Sequence, residues 1–125
     1  MNYYLIHAYD SEYGYHSGTD DWDIVQCFDE EDAYDIGRDM AREVMYSHEQ
    51  IFSSIQNEAK QSWDYEGASI DEDEREDWID ERIEELMEAR AEVEVWKLDD
   101  GIDYEALLDE MSYEEIRDTY TIGGN

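Results

Sequence analysis

The sequence predicts an α+β domain in which a three-stranded antiparallel sheet is covered by amphipathic helices, with a strongly acidic surface. Three observations predict this class. Aromatic and β-branched runs typical of strands lie at residues 3–9, 22–28 and 92–98. Apolar residues recur at helical spacing in the segments between and after these runs. The 125 residues contain no proline and no Gly/Ser-rich linker, so residues 1–125 are expected to form one domain.

The first two strands are expected to pair as a hairpin. Tyr3–Tyr9 (YYLIHAY) and Trp22–Phe28 (WDIVQCF) are rich in aromatic and β-branched residues. The Gly-, Ser- and Asp-containing segment between them has the composition of a turn. A third strand is predicted at Glu92–Leu98 (EVEVWKL), where polar and apolar residues alternate.

Helical spacing begins after the second strand. Asp29, followed three residues later by Asp32, is typical of a helix start. The apolar positions of one helical face are Ala33, Ile36, Gly37, Met40, Ala41 and Val44, and a similar spacing continues through Ile51, Phe52, Ile55 and Ala59. The segment is either one helix of roughly 35 residues or two helices joined near Tyr46–His48. Two helices are favoured, because globular helices usually run about 8–20 residues.

A third helix is predicted over residues 69–90, after a break at Gly67-Ala68. Ser69 and Glu72 are spaced as a capping box, and Arg90 places a cation in the last turn, where the helix dipole favours it. Asp103 and Ser112 are expected to start two short C-terminal helices. The predicted order is β-β-α-α-α-β-α-α, with a core that includes Leu5, Ile24, Ile36, Met40, Val44, Ile79, Ile83, Leu86, Val93 and Leu107.

The acidic excess is the strongest functional signal. Thirty-eight Asp and Glu residues face eight Lys and Arg, for a formal net charge of −30. Solubility needs a net charge of only about 2–8 in a small domain, and self-repulsion destabilises the compact state. With 41% hydrophobic residues and 11 Tyr, the chain is expected to fold. An anionic exterior repels nucleic acid and anionic membranes and suits a cationic partner.

The acids are densest in the third predicted helix, where residues 69–90 hold eleven. Twenty-two helical residues span roughly 33 Å, a length over which one DNA strand carries about ten phosphates. The predicted partner-binding carboxylates face away from the apolar side or flank it, and they are Asp73, Glu74, Asp77, Asp80, Glu81, Glu84, Glu85 and Glu88. The helices at 29–46 and 103–118 could supply a second row. Trp78 is expected either to pack under the C-terminal helices or to anchor a partner.

The residue types that carry catalysis are scarce. His7, His16 and His48 share no metal-ligand spacing, and Cys27 at the end of a strand is interpreted as a small buried residue. Residues 71–75 and 99–103 lack the oxygen spacing of a calcium loop. The sequence therefore predicts no enzyme, no cofactor and no metal site. A lone cysteine, no long apolar run and no signal-like N-terminus favour the cytoplasm and no membrane association.

With its charge pattern and its opening segment YLIHAYDSEYGYHSGTDDWD, the chain resembles the small acidic DNA-mimic proteins of phages and mobile elements. The segment is similar to the aromatic strand–Tyr–Gly–Gly–Trp opening of mobile-element anti-restriction proteins. The resemblance implies a non-enzymatic inhibitor that binds no nucleic acid itself. Its partner would be a basic nucleic-acid-binding protein, either a CRISPR effector or a restriction enzyme, whose DNA site it occupies.

Two other hypotheses stay open at the level of sequence. One is an acidic adaptor, antitoxin or chaperone for a basic protein partner, which would not compete with DNA. The other is a halophilic or metal-dependent housekeeping domain, favoured by the presence of only two lysines, Lys60 and Lys97, but not by the abundance of Tyr and Trp. A homodimer would lengthen an acidic strip, and no motif decides for or against one.

Overall fold

The predicted order of elements is confirmed in a computed structural model, which describes residues 1–12, 20–66 and 72–122. The elements are β1 (Asn2–Asp10), β2 (Asp20–Cys27), α1 (Glu30–Ser47), α2 (Glu49–Glu66), a 3₁₀ turn (Glu72–Glu74), α3 (Arg75–Arg90), β3 (Ala91–Leu98), α4 (Tyr104–Leu107) and α5 (Tyr113–Tyr120). The α+β class is therefore correct. The predicted turn around His16, the break at Gly67-Ala68 and Ser69 lie outside the described residues.

The three strands form one antiparallel sheet in the order β2-β1-β3. Leu5 pairs with Ile24 on one side and with Trp96 on the other, which fixes the register of both ladders. Because successive side chains point to opposite faces of a strand, β1 divides its residues between two layers. Tyr4, Ile6 and Ala8 belong to one core cluster and Leu5 to another.

Helix α1 covers the first face of the sheet. Asp29 caps it, since its Oδ1 accepts a hydrogen bond from the backbone N–H of Asp32 at 2.9 Å. Its apolar stripe packs on the sheet in a cluster whose buried members are Tyr4, Ile6, Ala8, Cys27, Ala33, Met40 and Ala41. Gly37 is buried in this contact, where a Cβ would collide with Val93 Cγ1. The small residues of the stripe let the helix approach the strands closely.

Helices α4 and α5 cover the opposite face. Asp103 caps α4, and Ser112 with Glu115 forms the predicted capping box of α5. The buried members of this second cluster are Leu5, Leu98, Tyr104 and Ile116. Trp22 and Trp96 pack around them with nearly parallel rings, 6.1 Å apart between centroids. The C-terminal helices therefore lie on the far side of the sheet from α1.

The third cluster joins α2 and α3, and its buried members are Met45, Ile51, Ile55, Ala59, Ile83 and Met87. The prediction of two helices is confirmed, because α1 ends at Ser47 and His48 has extended backbone angles before α2 starts at Glu49. The predicted core residues are all removed from solvent at least in part. Leu5, Met40, Val44 and Ile83 are buried, whereas Ile24, Ile36, Ile79, Leu86, Val93 and Leu107 are partly buried.

Two predictions around α3 need correction. The α-helix begins at Arg75 rather than at residue 69, after the 3₁₀ turn, and Glu74 at its N-cap makes no capping hydrogen bond through its side chain. Trp78 packs edge-to-face on Trp63 of α2, with ring centroids 5.4 Å apart, rather than under the C-terminal helices. The apolar spacing of α3 identified its buried face but could not say which helix that face would meet.

Candidate partner-binding surface

Helix α3 presents the predicted carboxylates to solvent. It is amphipathic in the sense that Ile83, Met87 and Arg90 are buried while its acids point outward. All eight predicted residues are exposed: Asp73, Glu74, Asp77, Asp80, Glu81, Glu84, Glu85 and Glu88. Six of them fall between Asp77 and Glu88, inside regular α-helix. The packing of α3 thus fixes the backbone that carries them.

Helix α1 lies beside α3 along this surface. Glu84 accepts a hydrogen bond from Arg42 of α1 and a second from the hydroxyl of Tyr46 at 3.0 Å. Farther along, Glu88 of α3 borders a shallow groove together with Asp35 and Arg38 of α1. The C-terminal part of α1 thus lies beside Glu84, and its N-terminal part lies beside Glu88, so the two helices run antiparallel.

A second row of acids on α1 joins the first. Asp35, Asp39 and Glu43 recur at four-residue intervals, so they share a helix face, and all three are exposed. The sequence predicted that the helices at 29–46 and 103–118 could supply a second row. The C-terminal helices are on the other side of the sheet from α1 and α3, so only α1 can supply a row beside α3. The acidic surface therefore consists of the α3 carboxylates and this α1 row, and we call it the α1–α3 acidic surface.

Cations within the surface neutralise only part of it. Arg38 pairs with Asp35 at 2.5 Å, Arg82 pairs with Glu85 at 3.1 Å, and Arg42 pairs with Glu84. Within the described residues, no ion pair holds the remaining predicted carboxylates, which are Asp73, Glu74, Asp77, Asp80, Glu81 and Glu88. These six carboxylates are therefore available to an external cation.

Asp21 extends the negative potential from α1 toward the edge of the sheet. Burial raises the pKa of its carboxyl, and the neighbouring carboxylates of Asp23, Glu43 and Asp20 raise it further, although a backbone hydrogen bond at Trp22 acts in the opposite direction. A carboxyl surrounded by other carboxylates marks a region of uncompensated charge. Sequence spacing could not reveal the effect of Glu43 on Asp21, because the two residues come near each other only when α1 packs on β2.

Cys27 and the described histidines lie away from this surface. Burial raises the pKa of the Cys27 thiol, which opposes formation of a nucleophilic thiolate. His7 is buried between two carboxylates, and His48 lies at the α1–α2 junction. In the parts of the chain that are described, no group of three or more His, Cys, Asp or Glu side chains could hold a metal ion. Across the same ranges, none of the helices is long and apolar enough to cross a bilayer.

Comparison with known proteins gave no relative: no family model, no curated protein and no solved structure matched this chain.

Proposed function

We propose that this protein is a non-enzymatic inhibitor that mimics nucleic acid and occupies the basic DNA-binding groove of a defence nuclease, either a CRISPR effector or a restriction enzyme. The observation that carries the proposal is the linear charge density of α3. Six carboxylates lie within the eleven residue steps from Asp77 to Glu88, or about 16 Å of helix. One charge per roughly 3 Å is close to the phosphate spacing of one DNA strand, about 3.4 Å along the axis.

The second row supports mimicry of a duplex rather than a single strand. The two helices run antiparallel, and the groove between them is bordered by Asp35 and Asp39 of α1 and by Glu88 of α3. A DNA duplex likewise presents two rows of phosphates on either side of a groove.

Rigidity supports the same function. The α3 backbone is fixed by Ile83 and Met87 in the core, and Glu84 is held by Arg42 and Tyr46 of α1. Carboxylates on a fixed backbone lose less conformational entropy on binding than carboxylates on a flexible chain. Such an inhibitor would act in the cytoplasm of a cell whose nuclease it blocks.

The test is displacement of labelled duplex DNA from a guide-loaded CRISPR effector and from restriction enzymes. One variant changes to amides the six carboxylates predicted from the sequence that no ion pair holds within the described residues: Asp73, Glu74, Asp77, Asp80, Glu81 and Glu88. A matched variant changes six exposed acids on the opposite side of the sheet: Asp99, Asp100, Glu105, Asp109, Glu110 and Glu114. Both variants have the same net charge, so total charge cannot explain a difference between them.

We expect the wild type and the matched variant to displace DNA stoichiometrically, and the α3 variant to lose most of that ability. Added salt should weaken the inhibition, because it screens the attraction. Equal loss in both variants would mean that total charge acts without a defined surface. Capture of a basic partner that still binds DNA alongside the inhibitor would favour an adaptor and contradict mimicry.

A further inference from the structure

A buried histidine at the centre of the sheet plays no part in the acidic surface. His7 lies on the central strand β1 and is 3% exposed. In the two ladders it pairs with Trp22 of β2 and with Glu94 of β3. It lies on the face covered by α4 and α5, away from α1.

Both ring nitrogens of His7 meet carboxylates. Nε2 lies 2.8 Å from Oδ2 of Asp20, and Nδ1 lies 3.1 Å from Oε1 of Glu94. The indole Nε1 of Trp22 donates to the same Asp20 oxygen at 3.0 Å, and the Trp22 ring stacks on the imidazole with centroids 3.9 Å apart. The three strands are thus joined through one side chain.

The hydrogen-bonding capacity of imidazole sets its charge in this arrangement. A neutral ring has one N–H donor and one acceptor nitrogen, whereas an ionised carboxylate only accepts. Two contacts with ionised carboxylates therefore require a hydrogen on each ring nitrogen. We propose that His7 is a buried imidazolium whose two N–H groups donate hydrogen bonds to Asp20 of β2 and Glu94 of β3. Its deprotonation removes one of these hydrogen bonds and makes the stability of the sheet depend on pH.

Other titratable and charged groups lie on the same side of the sheet. From β1, the ring of Tyr9 lies 4.9 Å away, and Glu92 of β3 pairs with Tyr9 on the same face. From α5, Tyr113 stacks on Trp22, and the Arg117 guanidinium lies over Trp96 and pairs with Asp118. Loss of the His7 proton leaves Asp20 and Glu94 facing a neutral ring, so one nitrogen lone pair then opposes a carboxylate oxygen. Both hydrogen bonds are present while the ring is doubly protonated, and one of them is lost as pH rises.

Glu94→Gln separates this proposal from a purely structural role. The side-chain amide that this substitution introduces can donate to Nδ1 of a neutral ring, and Nε2–H can still donate to Asp20. Both hydrogen bonds therefore survive loss of the proton. Glu92→Gln removes the same charge from the same strand and face without changing the Glu94 and Asp20 contacts to His7. It is the matched control.

The experiment combines ring ¹⁵N spectra with thermal melting between about pH 5 and about pH 8, the range in which imidazole changes charge. In the wild type we expect both His7 nitrogens to be protonated at about pH 7, and the melting temperature to fall as pH rises. Glu94→Gln should lose at least half of that fall, and Glu92→Gln should keep it. A singly protonated His7 in the wild type, or identical profiles for the two variants, would overturn the proposal. The wild-type spectrum decides it even if Glu94→Gln fails to fold.

Discussion

Arg90, the last residue of α3, holds Asp10 at the end of β1 with two hydrogen bonds, from Nε to Oδ1 at 3.1 Å and from a terminal nitrogen to Oδ2 at 2.6 Å. Both residues are buried, at 4% and 0% exposure. Glu12 and Glu58 lie 3.5 and 3.9 Å from the same guanidinium. One arginine thus fastens the helical layer that carries the acids to the sheet.

Removing that arginine should destabilise the domain strongly. Arg90→Met leaves the Asp10 carboxylate buried without its main partner, and breaking a buried ion pair in this way costs about 3–5 kcal/mol. Arg38→Gln is the control, since its pair with Asp35 is exposed on both sides and such pairs contribute about 0–1 kcal/mol. Urea denaturation measures the free energy of unfolding of both variants. Similar small losses in the two variants would show that Asp10 does not depend on Arg90.

Gly37 of α1 tests how closely the helix packs on the sheet. In Gly37→Ala the new methyl would collide with Val93 Cγ1 and lie 3.1 Å from Ile6 Cγ2. Overpacking of this kind costs about 1–3 kcal/mol, more than the roughly 1 kcal/mol that alanine gains over glycine in a helix. We expect a lower free energy of unfolding, partly restored by adding Val93→Ala. A more stable single variant would show that α1 can move away from β3.

Ile83 tests the buried face of α3. Ile83→Asp places a charge without a partner in the cluster that joins α2 and α3, where Ile83 is 8% exposed. The variant should be unfolded or should melt at a much lower temperature by circular dichroism. Ala89→Asp adds the same charge on an exposed position of the same helix and should fold. A folded, monodisperse Ile83→Asp protein would contradict the packing of α3.

Salt should stabilise the whole domain. A net charge of −30 repels itself, and screening weakens that repulsion as ionic strength rises. The melting temperature should increase between roughly 20 and 200 mM monovalent salt, as the Debye length shortens toward about 8 Å. An unchanged melting temperature would indicate that bound cations already neutralise the acids.

Tyr104 of the second cluster should ionise at a higher pH than an ordinary tyrosine. Burial, followed by the nearby carboxylate of Asp99, raises its pKa to about 12 from the ordinary value of 10.0. The fold favours the neutral phenol, so this contribution to stability is complete below pH 10.0 and is lost as pH rises through about 12. Absorbance titration of the wild type against Tyr104→Phe isolates its transition. A Tyr104 transition near pH 10.0 instead would place the phenol in solvent.

The sequence predicted the elements well, because local signals determine them. Asp29 and Ser112 cap helices through residues three positions away. The alternation of β3 arises because Val93 and Val95 pack on the face covered by α1, whereas Glu92 and Glu94 lie on the other face. The acids of α3 were also predicted as exposed, because helical periodicity alone separates them from Ile83 and Met87. These are short-range relationships that a single sequence displays.

The relationships that sequence did not reveal are long-range. Asp10 and Arg90 are 80 residues apart, and Glu84 meets Tyr46 across 38 residues, so no spacing announces either contact. His7 was interpreted only as a strand residue, because its two carboxylate partners come from different strands. Which acids share a surface depends on the face of the sheet on which each helix packs.

The sheet order has a consequence for how the chain folds. β1 is the central strand, yet one of its neighbours lies about 80 residues farther along, as the pairing of Asp10 with Ala91 shows. The hairpin with β2 and the helices can form from nearby residues, whereas the second ladder must close a long loop first. Before β3 pairs with it, β1 has an edge of unpaired backbone groups with which another chain could form hydrogen bonds. Two copies that each carry a net charge of −30 repel each other, so the repulsion that weakens the folded protein also opposes such pairing between partly folded chains.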